Sequence, residues 1–133
     1  MFLLDTNVCI QLLNGTSASI IEELRTHSPT DILLSSVVRA ELLFGARKSA
    51  RVDQNLRLLE RFCAPYRSAP FDHRCAEHYG SLRANLQSAG LLIGPNDMLI
   101  AATALAHDAT LVTNNTREFG RVIGLRLVDW HRG

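Results

Sequence analysis

The sequence predicts an α/β domain whose central sheet is mostly parallel, has about four or five strands, and carries helices on both faces. Three observations point there. Short apolar runs of strand length alternate with longer stretches of helical periodicity. The strand-like runs are apolar at successive positions rather than alternating, as in parallel strands buried on both sides. Small acidic or amide residues stand where such runs end, Asp5 after one and Asn115 after another, and open α/β sheets bind ligands beyond the carboxyl ends of their strands.

In chain order, Phe2, Leu3 and Leu4 form a first strand that stops at Asp5. Thr6 can cap a helix through Val8, Ile10 and Leu13 that Asn14 and Gly15 end. Ser17 or Ser19 starts the next helix, with Ile20, Ile21 and Leu24 on one side. Residues 31–34 read as a second strand, and Ser35 or Ser36 caps a helix carrying Val37, Val38, Glu41, Leu42 and Ala46. Helical spacing returns over 52–62 and closes at Pro65, and 67–70 form a brief strand. Asp72 caps a long helix ending near Ala89 and Gly90. Gly94, Pro95 and Asn96 break the chain before a very apolar helix over 97–106. A strand over 110–113, a short turn or helix around 117–119 and a strand over 126–128 complete the chain.

The 133 residues fit one domain, 1–133, long enough to bury a core without disulfides or structural metal. The hydrophobic fraction of 47% and charged fraction of 20% are those of a soluble globular protein, and no apolar run reaches membrane-spanning length. The opening residues have no basic region and meet an acid at once, unlike a signal peptide. Cys9, Cys63 and Cys75 are odd in number and form no CxxC pair, which favours reduced thiols and a cytoplasmic setting. A net charge of +1 excludes a strongly basic nucleic-acid coat protein, but not a metal-dependent nuclease, where the cation supplies positive charge at the phosphate.

Four stretches carry side chains that would meet at one sheet edge: LLDTN with Asp5, AEL with Glu41, GPND with Asp97, and VTNN with Asn115. Three carboxylates and an amide make an oxygen-rich cage for Mg²⁺ or Mn²⁺. Such a cage is apparatus for cutting a phosphodiester with metal-activated water. Brought together, the three carboxylates repel one another unless a cation or protons intervene. Each residue also has a structural role to weigh. Asp5 can cap a helix or end a strand, and Asp97 sits in a first helical turn, where the dipole favours negative charge by up to about 1 kcal/mol. Glu41 can be solvated, although neither Arg39 nor Lys48 stands three or four residues from it to pair locally. Asn114 or Asn115 can form an Asx turn. Thr6 and Thr113 can hydrogen-bond a ligand oxygen or orient metal-bound water, or satisfy local backbone. Glu118, a nearby carboxylate, can assist at the site or be solvated, and the second reading is favoured. The five histidines show no HExxH spacing, and no P-loop, GxSxG elbow or GxGxxG turn is present.

Taken together, LLDTNVCI, SSVVRAELLFGARKS, IGPNDMLIAATAL and LVTNNTREFGRVIGLRLVDW resemble the PIN-domain ribonucleases, specifically the VapC toxins of bacterial toxin–antitoxin pairs. The resemblance covers essentially the whole chain in order and spacing, and the ordered set is far more specific than DTN alone. It implies a PIN-like fold with an acidic metal site on Asp5, Glu41 and Asp97. Asn115 falls where the family often has an aspartate, so one charge is missing and one well-held Mg²⁺ is expected. Thr113 matches the family's hydroxyl near the site. The resemblance also implies a homodimer, a VapB-type antitoxin covering the cleft, and an RNA substrate, often a tRNA. Arg39, Arg47, Lys48, Arg51, Arg83, Arg117 and Arg121 are candidates for phosphate contacts. The apolar side chains Ile10, Leu13, Ile20, Leu24, Leu42, Leu43 and Phe44 are either core or a groove for an antitoxin helix.

The expectation is therefore an Mg²⁺-dependent endoribonuclease in which Asp5, Glu41 and Asp97 hold the metal and Asn115 positions water or the metal's outer shell. A DNA-processing, flap-type nuclease is the first alternative, and a non-catalytic interaction module with relic acids is the second.

Overall fold

In the computed structural model, which describes residues 1–131, β1 (Phe2–Leu4) lies at the centre of a five-stranded sheet. The last two residues of the expected domain lie outside the described residues. β2 (Ile32–Ser35) flanks β1 on one side and β4 (Thr110–Val112) on the other, with β3 (Arg67–Ala69) and β5 (Leu127–Val128) at the edges. Every pairing is parallel, so the sheet expected to be mostly parallel is entirely so. Leu3 stands opposite both Leu33 and Leu111.

Successive strand residues point to opposite faces of a sheet. Leu3 and Leu4, Ile32 through Leu34, and Leu111 and Val112 are all buried, so helices cover both faces of the central strands. Helices α1 (Thr6–Asn14), α2 (Ala18–Arg25), α3 (Ser36–Arg47) and α4 (Val52–Cys63) pack among themselves. The pair α5 (His73–Ala89) and α6 (Pro95–Ala106) packs most extensively, and α6 also meets α3. A four-residue helix, α7 (Thr116–Phe119), follows β4. Alanines let α6 run through the interior, where Ile100 through Ala104 are buried without exception.

Local chemistry sets the element ends. Ser17 caps α2 and Ser35 caps α3, whose Oγ accepts from Val38 N at 3.0 Å. Asp72 caps α5 by accepting from Cys75 N at 3.1 Å. Gly15 ends α1 at φ 64° and Gly90 ends α5 at φ 69°, the left-handed conformation that glycine adopts without steric cost. The first helix differs from expectation. Asp5, not Thr6, is its N-cap, because the sheet holds Asp5 extended (φ −69°, ψ 158°) through Asp5 N donating to Val112 O at 3.0 Å. Thr6 is already helical, and its hydroxyl is directed elsewhere.

Candidate active site

The sheet grows from β1 through β2 to β3, then the chain crosses back to lay β4 on the opposite side of β1. Such a reversal leaves a crevice beyond the carboxyl ends of the two strands where it occurs, here β1 and β4. Asp5 is the first residue past β1 and Thr113 the first past β4. Asp5 is only 4% exposed, yet both of its oxygens are satisfied. Oδ1 accepts from Thr6 N and Oδ2 from Thr113 Oγ1, each at 2.8 Å. Thr113 Oγ1 in turn accepts from Asn115 N at 3.0 Å, so one hydroxyl ties the two strand ends together.

Glu41 arrives from α3, on the second turn after β2. Its Oε1 accepts from Thr6 Oγ1 at 2.9 Å, which fixes α3 against the start of α1. Asp97 arrives from the first turn of α6, opened by Gly94 and Pro95 without a side-chain cap. Its carboxylate turns back over Gly94: a Cβ there would stand 3.4 Å from Asp97 Oδ2. The charge therefore lies at the positive end of the helix dipole. Asn115 precedes α7 and donates from Nδ2 to Glu118 Oε2 at 3.3 Å. Asp5, Thr6, Glu41, Asp97 and Asn115 all line one open cleft of about 930 Å³.

The electrostatics of the cleft are one-sided. Burial raises the Asp5 carboxyl above its ordinary value and the charge of Glu41 adds to the rise, while the bonds from Thr113 and Thr6 oppose it. Asp97 is pushed up to about 6, first by desolvation and then by the charges of Asp5, Glu41 and Glu118. Among the described residues the ion pairs are Glu23 with His27 and Asp108 with Arg126, both formed by other carboxylates. Four mutually repelling carboxylates with oxygen donors beside them match the preference of a hard divalent cation. Among the described residues, however, no three acidic, histidine or cysteine side chains already stand in position to ligate one ion. Asp5, Glu41 and Asp97 nevertheless line one cleft with the side-chain oxygens of Thr6 and Asn115, and this all-oxygen donor set is of the kind that Mg²⁺ or Mn²⁺ takes.

A PIN domain family model matches residues 2–125. The chain belongs to the PIN domain family. Ribonuclease VapC2 of Rickettsia felis is 40% identical over 133 residues, covering 99% of each chain. The tRNA(fMet)-specific endonuclease VapC of Shigella flexneri is 40% identical over 129 residues, covering 97% of each. The crystal structure of VapBC2 from Rickettsia felis bound to a DNA fragment from their promoter superposes with a TM-score of 0.91 at 40% identity, covering 97% of this chain and 98% of that one. The PIN fold expected from the ordered motifs is thus the fold of this chain.

The remaining residues expected near the site divide. Lys48 is the one basic residue lining this cleft among the described residues. Arg39 lines a separate hollow between α3 and α4, where its Nε is buried without a partner. Arg83 stands over the Tyr79 ring and donates to Tyr79 Oη at 2.6 Å. Arg121 donates to Leu92 O at 3.2 Å beside a third hollow under α5. Arg47, Arg51 and Arg117 are exposed and do not line the cleft. Of the apolar set, Ile20 and Leu42 are core, whereas Ile10, Leu43 and Phe44 remain exposed.

Glu118, favoured as solvated although it could assist, stands beside the cleft, and three further residues line it. Glu118 is half-buried, bonded to Asn115, and its charge reaches Asp97, so its environment is not that of a freely solvated side chain. Its three-residue spacing from Asn115 on a short helix is the signal that could have revealed it. Asn7, Ser36 and Asn96 also line the cleft. Two of them are the amides of the DTN and PND motifs, Asn7 two residues after Asp5 and Asn96 directly before Asp97.

Proposed function

We propose that this chain is an Mg²⁺-dependent endoribonuclease, the toxin of a toxin–antitoxin pair, restrained by a VapB-type antitoxin. The observation that carries the reading is the convergence of Asp5, Glu41 and Asp97, from three distant segments, on one cleft at the β1–β4 reversal, with no cationic side chain among the described residues paired to them. Relatives named ribonuclease and tRNA-specific endonuclease, matched over nearly their whole length, support the choice of RNA, and of tRNA in particular. Resemblance to a chain found in a VapBC complex supports the antitoxin. A homodimer acting in the cytoplasm completes the proposal, in keeping with three buried, unpaired cysteines.

A divalent cation at this site would supply Lewis acidity toward the phosphoryl oxygens and a more acidic water. The chain's own part is positional. Thr113 and the Thr6 amide hold Asp5 in one orientation, Thr6 Oγ1 steers Glu41, and the α6 dipole steadies Asp97. Asn115, held by Glu118, presents a neutral amide where a further carboxylate would add repulsion, and would orient water.

The test is cleavage of labelled tRNA, with a single-stranded DNA control, by protein freed of antitoxin, with Mg²⁺ or with chelator. Cleavage of RNA that needs Mg²⁺ and is lost in Asp5→Asn supports the proposal. Cleavage that persists in chelator, or in folded Asp5→Asn protein, contradicts it.

A further inference from the structure

We propose that Phe44 is a base-stacking platform for single-stranded RNA in the cleft and that Lys48 holds the adjoining phosphate; this rests on the endoribonuclease reading above. Phe44 is 65% exposed and is the one aromatic among the large hydrophobic side chains left exposed in the described residues. Burying such a ring is worth about 1.5–3 kcal/mol, which a ligand laid on it would recover. It does not share a surface with its neighbour Leu43, which faces the hollow holding Arg39. Phe44 instead lines the same cleft as the carboxylates.

Helical geometry makes this placement systematic. Residues three or four apart lie on one face, so Glu41, Phe44 and Lys48 form a stripe along α3. At 1.5 Å per residue the stripe carries Phe44 about 4.5 Å and Lys48 about 10 Å along the axis from Glu41. The Lys48 ammonium sits over the Phe44 ring, 5.1 Å from its centroid. Moving outward from Glu41, the cleft therefore offers an exposed aromatic ring with a positive charge beside it. A nucleotide carries matching groups in its base face and phosphate. A purely apolar helix laid on the ring would instead desolvate the ammonium without pairing it. The chemistry favours nucleic acid over an apolar protein segment at this ring.

The experiment measures binding of a labelled single-stranded oligoribonucleotide to the full chain in chelator, which prevents cleavage, and then steady-state cleavage with Mg²⁺. Phe44→Ala should weaken binding about tenfold, the scale of one lost stacked base, and raise KM more than it lowers kcat. Phe44→Trp should restore binding, and its added fluorescence should fall on RNA addition. Phe44→Leu should not restore binding. Lys48→Gln should weaken binding and reduce its salt slope by about one. Mn²⁺ affinity should match wild type in all four variants, which separates stacking from damage to the site. Unchanged RNA affinity in Phe44→Ala, or Phe44→Leu binding as well as Phe44→Trp, overturns the proposal and leaves the ring to a protein partner. Wild-type chain that neither binds nor cleaves RNA would sink the endoribonuclease reading itself, and the stacking role with it.

Discussion

Replacing Asp97 by asparagine should reverse the order of stability between variant and wild type, depending on whether a divalent cation is present. In the fold the carboxyl titrates near about 6 rather than 3.8, a cost to the ionised form of about 3 kcal/mol at 1.36 kcal/mol per pH unit. Asp97 is only half-buried, so solvent screening reduces this to about 1–2 kcal/mol. The α6 dipole returns about 0.3–1 kcal/mol to the charge, and asparagine forfeits that. The net is that Asp97→Asn should stabilise the chelated chain by up to about 1 kcal/mol, or about 3 °C in Tm for a domain of this size. With Mg²⁺ at about 100 times its Kd, wild type gains about 2.7 kcal/mol by linkage and the variant gains little. RNA cleavage should fall by more than the roughly 100-fold typical of losing a group that merely supports a ligand. Thermal melts of both proteins, in chelator and in MgCl₂, provide the assay. A variant that melts below wild type in chelator, or that gains equally from Mg²⁺, would refute the reasoning.

The same carboxyls make stability depend on pH. Because the folded pKa of Asp97 is raised, the folded chain holds its proton more tightly than the unfolded chain does. Chelated protein should therefore gain stability as pH falls from about 7 toward 4, and Asp5, also raised, acts in the same direction. Asp72, lowered by the amide of Cys75, opposes this only toward the acid end. Melts across that range should show a flatter slope in Asp97→Asn, and equal slopes would count against the assignment. Thr113→Val removes the hydroxyl shared by Asp5 and Asn115, and should weaken Mn²⁺ binding about tenfold in a titration; unchanged affinity would show that Asp5 needs no such support. Gly120→Ala would place a Cβ 2.7 Å from the Thr116 carbonyl oxygen. It should cost about 1–3 kcal/mol in denaturant unfolding, and an unchanged midpoint would refute that packing.

Residues whose role is set by local chemistry were legible in the sequence. Asp5 ends an apolar run, Pro95 and Asn96 announce the helix that carries Asp97, and Asp72 and Gly90 bracket α5 as expected. What pairing decides was not. Periodicity gives strands but not their order, so the reversal that opens the cleft between β1 and β4 was invisible. The exchange of cap between Thr6 and Asp5 has the same origin, since β4 bonds the Asp5 amide and extends the sheet to that residue. A four-residue helix shows no periodicity, so sequence alone leaves Glu118 between assisting and solvated, and its approach to Asp97 depends on where β4 lies. Arginines carry no sequence signal for the surface they face: Arg39, Arg83 and Arg121 proved to stand away from the cleft.

The central claim is that side chains remote in the chain act as one ligand set. Mn²⁺ titration of the purified chain, followed by electron paramagnetic resonance and repeated with Asp5→Asn, Glu41→Gln and Asp97→Asn, tests it most directly. One tightly held ion per wild-type chain, lost in each of the three folded variants, is the expected result. Undiminished binding in the variants, or loss in only one of them, would contradict it.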